Sequence, residues 1–308
     1  MLTPFKLVLG LAGLFAVAVV GHLTAATAEA ATTYTWTGSS SANWSVGANW
    51  SPASPPTNGD ILIFPAGPTN ILTTNDISSL TVSTITFNTG APAYHIGGNP
   101  LTISVSLTVI SGAAPIQIDA PLSGAGSIVM NGSLLTLTAS NGGLTGNVSL
   151  NTGGSISAAS GALGSGTLTL AGGNLQGNGA SATLSNPISV TAPSTIGGSV
   201  PLTLTGAVSG STSLTQNDSI TLTLSATNFT FTGDFTNSSG SGTTVVSTTA
   251  ALGTGPAIFG PGTTLQGNGS PLSLSNSSFT FNGNPTISGS SDITLSNAVT
   301  APAGLTMS

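Results

Sequence analysis

The chain has no cysteine and a single basic side chain, Lys6, in 308 residues. The first absence excludes disulfides, thiolate nucleophiles and cysteine-based metal centres. The second removes the cations that would neutralise phosphates, so no nucleic-acid partner is expected. No phosphate-loop lysine or arginine clamp for a nucleotide is available either. Two histidines, His22 and His95, are too few for a histidine-rich metal centre. Charged residues are 3 % of the chain, against about 25 % in ordinary globular domains. The acids are Glu29, Asp60, Asp76, Asp119, Asp218, Asp234 and Asp292. Good helix formers (Glu, Lys, Gln, Arg, Met) are scarce, which argues against a helical protein. Serine and threonine fill the space, 93 residues together, with 42 glycines. The 39 % hydrophobic content and its regular placement argue against disorder. This composition speaks to architecture more than to activity.

Residues 1–30 read as a secretory leader. Lys6 supplies a minimal positive region, Leu7 to Val20 a short apolar run, and Ala28-Glu29-Ala30 a small-x-small cleavage site before Ala31. The run is short for a membrane span, which needs about 20 residues. No later stretch is apolar enough to cross a bilayer, so no span is expected once the leader is removed.

From residue 60 on, apolar and hydroxyl residues alternate with a period of two. Ile61-Leu-Ile-Phe64, Leu101-Thr-Ile-Ser-Val-Ser-Leu-Thr-Val109, Thr167-Leu-Thr-Leu170, Leu202-Thr-Leu204, Leu222-Thr-Leu224, Leu272-Ser-Leu274 and Ile293-Thr-Leu295 are the clearest runs. Glycine- and asparagine-rich punctuation separates them, as at Gly97-Gly98-Asn99 and Gly177-Asn178-Gly179. There is also a long internal repeat. Leu135 to Gly146 aligns with Leu222 to Gly233, 87 residues on; Ala162-Leu-Gly-Ser-Gly166 recurs as Ala251-Leu-Gly-Thr-Gly255, 89 on; Leu175-Gln-Gly-Asn-Gly179 recurs unchanged at 265–269, 90 on.

A unit of about 90 residues is long enough for about four coils of 20 to 25 residues, the scale of a solenoid rung. Stacking rungs at about 4.8 Å would line the Leu, Ile and Val rows into one core and set identical neighbours into Thr, Ser and Asn ladders. Residues 61–308 would make about eleven coils, on the order of 50 Å of rod. Low charge suits such stacking, because like charges repel along a ladder. The competing all-β layout is a pair of sandwich domains, but aromatics are only 5 % of the chain and thin out between residues 95 and 228. A parallel β-helix is therefore the expected fold.

All three tryptophans, Trp36, Trp44 and Trp50, lie between Tyr34 and Trp50, ahead of Pro52, Pro55-Pro56 and Asn58-Gly59-Asp60. They suit either an aromatic cap on the open end of the core over residues 31–60 or a stacking platform for carbohydrate. The Trp-Thr-Gly…Asn-Trp-Ser…Asn-Trp opening, followed by Pro-x-x-Gly-Asp and a strand, resembles the N-terminus of bacterial proteins with autotransporter-associated β-strand repeats. Ser123-Gly-Ala-Gly-Ser-Ile128 ahead of Leu135-Thr-Leu-Thr138 resembles that family's repeat, as does Ser209-Gly-Ser-Thr-Ser-Leu-Thr215 through Ile220-Thr-Leu-Thr-Leu-Ser225 to Phe231-Thr-Gly233. The resemblance covers most of residues 33–308 through low-complexity motifs. It implies an exported or surface-displayed right-handed parallel β-helix, often adhesive or structural, with no catalytic residues to carry over. Two departures stand out. The family's lysine after the Leu-Thr step is Gln216 here and Met130 in the earlier copy, and no translocator barrel or sorting tail follows. By the spacing of the repeat, Ser308 falls just before a Thr-Leu-Thr-Leu strand is due, so truncation in mid-repeat, or an open end covered by a partner, is expected.

The enzyme possibilities are few. Holding an acidic sugar for lyase chemistry would require Arg or Lys. Asp218 and Asp234 could meet on adjacent coils, where a glycosidase needs two carboxylates about 5 to 9 Å apart, but the aligned repeat has Gly132 and Asn147 there and turn aspartates are commonplace. His95 is expected to be a turn or rung residue. The Gly-Gly-x-Gly-x-Asp calcium repeat is absent, which leaves Asp60 and Asp76 as isolated oxygen donors at most. No cofactor, metal or active site is expected. The expectation is a non-enzymatic passenger on the outer surface of a bacterium, or secreted by one, with surface polysaccharide or another cell-surface protein as partner, or its own copies end to end. Paired threonines (Thr136/Thr138, Thr167/Thr169, Thr203/Thr205, Thr221/Thr223) allow a second possibility, a solenoid that binds a regular lattice such as ice.

Overall fold

Alternation of aliphatic and hydroxyl residues sends one set of side chains inward and the other outward along every strand. In the computed structural model, which describes residues 30–226, 230–238 and 240–308, these strands coil into a parallel β-solenoid of about twelve turns. The expected leader, apart from Ala30, lies outside the described residues.

Each coil crosses three faces in a fixed order. The first face opens with Thr33–Trp36, Ile61–Phe64 and Thr81–Phe87 and runs through Leu101–Val109 to Thr230–Phe231. The second runs from Leu72–Asn75 through His95–Gly98 and Ile116–Ile118 to Ala298–Thr300. The third appears early as Leu122–Gly124 and Gly143–Leu144, paired onto the first half of Leu101–Val109. It becomes a seven-stranded sheet from Ala182–Leu184 to Thr306–Met307. Late in the chain Leu272–Leu274 and Ile293–Leu295 pair with each other at the first-face position of their coils. All neighbours in these stacks are parallel, save one antiparallel strand at the N-terminal end.

Register fixes the coil length. Ile128 pairs with Val148, Val148 with Leu168, Leu168 with Ile188 and Ile188 with Val208, 20 residues apart each time, and the earlier coils take a little more. These residues are all buried and form one row of a continuous axial core. Each such side chain contributes about 2 kcal/mol when removed from water. Glycine is demanded where the coil turns onto the first face. A Cβ on Gly146 would lie 2.0 Å from the Gly126 carbonyl oxygen, and one on Gly166 would lie 2.0 Å from that of Gly146.

Neighbouring coils do form ladders of identical residues, such as Thr183–Thr203–Thr223. The copies of the long repeat, by contrast, do not stack upon themselves. Four coils on from Leu175 along the second face, by way of Ile196, Gln216 and Asn237, lies Phe259. Leu265, which repeats Leu175 in sequence, sits one strand further on, in the third face. Likewise Leu135 leads in four coils to Gln216, whereas its counterpart Leu222 lies in the third face. The unit is therefore four coils plus one face, and each copy is turned by a face relative to the last.

What the copies preserve is a local staple. The buried Asn186 amide donates to the carbonyls of Leu163 (3.2 Å), Gly164 (3.3 Å) and Gly166 (2.8 Å) in the loop one coil before. Asn276 makes the same contacts to Leu252 (3.1 Å) and Gly255 (2.8 Å). Both loops carry the Ala-Leu-Gly-x-Gly motif, and each interrupts one face of the solenoid, whose backbone carbonyls then need a side-chain donor.

Candidate functional site

The tryptophan-rich segment closes the N-terminal end. Trp36, Trp44 and Trp50 are 0 %, 0 % and 2 % exposed. Trp36 donates through Nε1 to the Asn70 carbonyl (2.8 Å) and Trp50 through Nε1 to the Trp44 carbonyl (2.9 Å), while the indole Nε1–H of Trp44 is buried without a partner. The rings of Trp36 and Trp44 meet Trp50 edge-on at centroid distances of 4.9 and 5.7 Å. The cluster continues into the core through Phe64, Phe87 and Tyr94. Stacking a sugar requires an exposed ring face; these indoles turn theirs inward and leave none for carbohydrate.

The backbone of this segment covers both open sheet edges. Trp50–Ser51 pairs antiparallel with Thr33–Trp36, and Asn43 bridges to Thr74, with the Trp44 N–H donating to the Thr74 carbonyl (3.0 Å). Two aspartates tie the segment down. The buried Asp60 accepts from the Thr32 N–H (2.9 Å), the Thr57 N–H (2.7 Å) and the Thr57 hydroxyl (2.9 Å). Asp76 accepts from the Ser45 N–H (2.8 Å) and hydroxyl. Partial burial pushes the Asp76 carboxyl up, but the bonds from Ser45 outweigh it and hold it below the ordinary carboxylate range.

Asp218 and Asp234 do not converge. The Asp234 carbonyl receives the Leu214 N–H at the start of a second-face strand, while Asp218 lies past the end of that strand, where it accepts from the Gly198 N–H (2.6 Å). The expected threonine pairs do not form one array: Thr136 lies on the second face and Thr169 on the first, while Thr203 and Thr223 stack in register on the third. A ladder that sequence reasoning missed runs along the third face: Thr221, Thr243, Thr264, Thr286 and Thr306, one per coil.

The structure does bring together His95 and Asp119, which sequence reasoning kept apart. His95 pairs in register with Gln117 on the next coil of the second face, and its Nε2 reaches the Asp119 carboxylate. Asp119 also accepts from Gln117 Nε2 (2.9 Å) and from the Thr138 hydroxyl (2.6 Å) one coil further on. Partial burial raises the Asp119 carboxyl, but the bonds from Thr138, Gln117 and His95 outweigh it and hold the group below the usual carboxylate range. The usable signal was spacing: 24 residues is one long coil plus two, which puts both side chains on one outward face. Leu72, in register with His95 on the preceding coil, is 64 % exposed. Two shallow clefts, of about 320 and 280 Å³, share Leu72 and His95 in their walls. Imidazole, carboxylate, carboxamide and hydroxyl thus converge beside an exposed aliphatic side chain, an arrangement that can exchange hydrogen bonds with a polar ligand while resting its apolar side on Leu72. No group of three or more metal-ligating His, Asp or Glu side chains occurs among the described residues.

Comparison with known proteins finds no matching family model, no matching curated protein and no matching solved structure.

Proposed function

We propose that the protein is an exported, non-enzymatic β-solenoid, a structural or adhesive element of the autotransporter-associated repeat type, displayed on or shed from a bacterial surface. The observation that carries this reading is the uniform division of labour in its strands: aliphatic residues line one axial core, and hydroxyl residues coat the faces over coil after coil. A surface of Ser, Thr, Asn and Gln offers many hydrogen bonds of modest strength, which suits extended contact with a hydroxylated polymer or another surface protein. The leader motif at residues 1–30 supports export. Fractionation of expressing cells tests the reading: the chain is expected outside the cytoplasm with Ala31 as its N-terminus. A cytoplasmic, uncleaved chain, or hydrolase or lyase activity on a polysaccharide panel that one Asp→Asn change abolishes, would overturn it.

A second reading rests on the third-face ladder. Five threonines spaced by one coil, about 4.8 Å apart, present hydroxyls and methyls at a regular repeat. If this face binds an ordered lattice such as ice, thermal hysteresis appears and is lost in Thr264→Lys; absence of hysteresis removes the reading.

A further inference from the structure

The outer second face has a gap. Two files of side chains run along it, and at Gly97 the second file has none. Gly97 stands opposite Thr74 on the preceding coil and two residues beyond His95 on its own strand. The Asp119 N–H bonds to the Ile96 carbonyl, which places the His95–Asp119 pair beside the gap. A Cβ built on Gly97 would meet nothing within 4 Å, and the residue needs no unusual backbone angle. Close packing is therefore not what places glycine here, unlike at Gly146 and Gly166. The result is a notch of about 320 Å³ walled by Ala42, Leu72, Thr74 and His95, at the small end of the range for ligand sites.

We propose that this notch holds one residue of a neutral polysaccharide chain; the assignment deepens the adhesive reading above and rests on it. Charge selects the class. No Lys or Arg follows Lys6, so nothing here would hold a uronate, sulfate or phosphate, and Asp119 repels them. A cationic ligand would have to compete for Asp119 with three donors it already has. A neutral sugar ring matches what remains: an aliphatic wall at Leu72 for its C–H face, and the His95 imidazole and Thr74 hydroxyl for its hydroxyls. The file Leu72, His95, Gln117, Thr136 then continues across successive coils, a track for further residues of the same chain.

The test uses the full chain and its Gly97→Leu variant, which fills the notch from an unstrained position, with His95→Gln as a second variant that keeps the surface polar. Affinity electrophoresis is run with a soluble β-glucan, a mannan and a galactan as neutral probes, chitosan as the cationic probe and polygalacturonate as the anionic one. Retention by at least one neutral polymer is expected, weakened at least tenfold in Gly97→Leu, with the melting temperature unchanged, and weakened less in His95→Gln. Retention by a neutral polymer that both variants preserve would overturn the site while leaving the adhesive reading intact. Retention by chitosan or polygalacturonate alone would overturn the neutral class. No retention by any probe would overturn the site, and the fractionation experiment judges the export reading separately.

Discussion

The two ends of the described solenoid are built from different chemistry. At the N-terminal end, seven aromatic rings from Tyr34 to Tyr94 pack together and an antiparallel strand covers the first face. In the last coil, Ala298–Thr300 and Thr306–Met307 are exposed throughout, Val299 at 47 % and Met307 at 67 %, and an open cleft of about 610 Å³ lies between Ile287, Ile293 and Met307. The coil motif alone extends a core but does not close one, because each coil buries its rows only against a neighbour. Closure takes residues of another kind: large rings that fill the cross-section and a strand that runs against the stack.

That contrast can be broken from the closed side first. Trp36→Ala removes a buried ring from the middle of the cap and is expected to cost about 3–5 kcal/mol, read by denaturant unfolding, whereas Val299→Ala in the last coil should stay within about 0.5 kcal/mol. Gly146→Ala drives a methyl into a carbonyl of the coil below and should cost about 2–4 kcal/mol through overpacking and backbone shift. Gly304→Ala at the far end, where the nearest foreign atom is 3.6 Å away, should cost only the roughly 1 kcal/mol of its left-handed backbone. Asn186→Ala frees the carbonyls of the Ala-Leu-Gly loop and should cost about 1–3 kcal/mol, visible as faster amide exchange at 161–166. Trp44→Phe removes an N–H that is buried without a partner and should fall within about 1 kcal/mol of wild type, in contrast to Trp50→Phe, which strands the Trp44 carbonyl.

Acid sharpens the same comparison. Asp76 and Asp119, both in the N-terminal half, are held below their ordinary value in the folded chain. The stability they confer is fully present above the unfolded carboxylate pKa of about 4 and is lost as pH falls through the lower folded values. Hydrogen exchange between pH 5 and 2 is therefore expected to show loosening around residues 44–76 and 95–138, and Asp76→Asn should flatten the pH dependence of the first segment.

Much of this architecture was legible in the residues. Period-two runs such as Leu101–Val109 and Leu202–Leu204 are strands, the coil length follows from their spacing, and Trp36, Trp44 and Trp50 mark the closed end because large rings in a chain poor in them need a large void to fill. Three faces per coil were not legible. The short runs look alike wherever they fall, and the corners are set by glycines whose role depends on the coil beneath them. For the same reason the repeat was read as four coils, when Leu265 and Leu175 occupy different faces. The His95–Asp119 contact escaped because neither residue recurs in the repeat, so alignment of copies, which exposes shared structure, conceals what is particular to one coil.

The turn of one face per unit has a consequence for how such a rod meets its surroundings. Any feature copied along with the unit re-emerges at a new azimuth, so three units in succession would point it in every direction before it returned to its starting line. Lengthening by duplication thus winds a motif into a spiral instead of a stripe, and a surface approaching from any side would find a copy turned toward it.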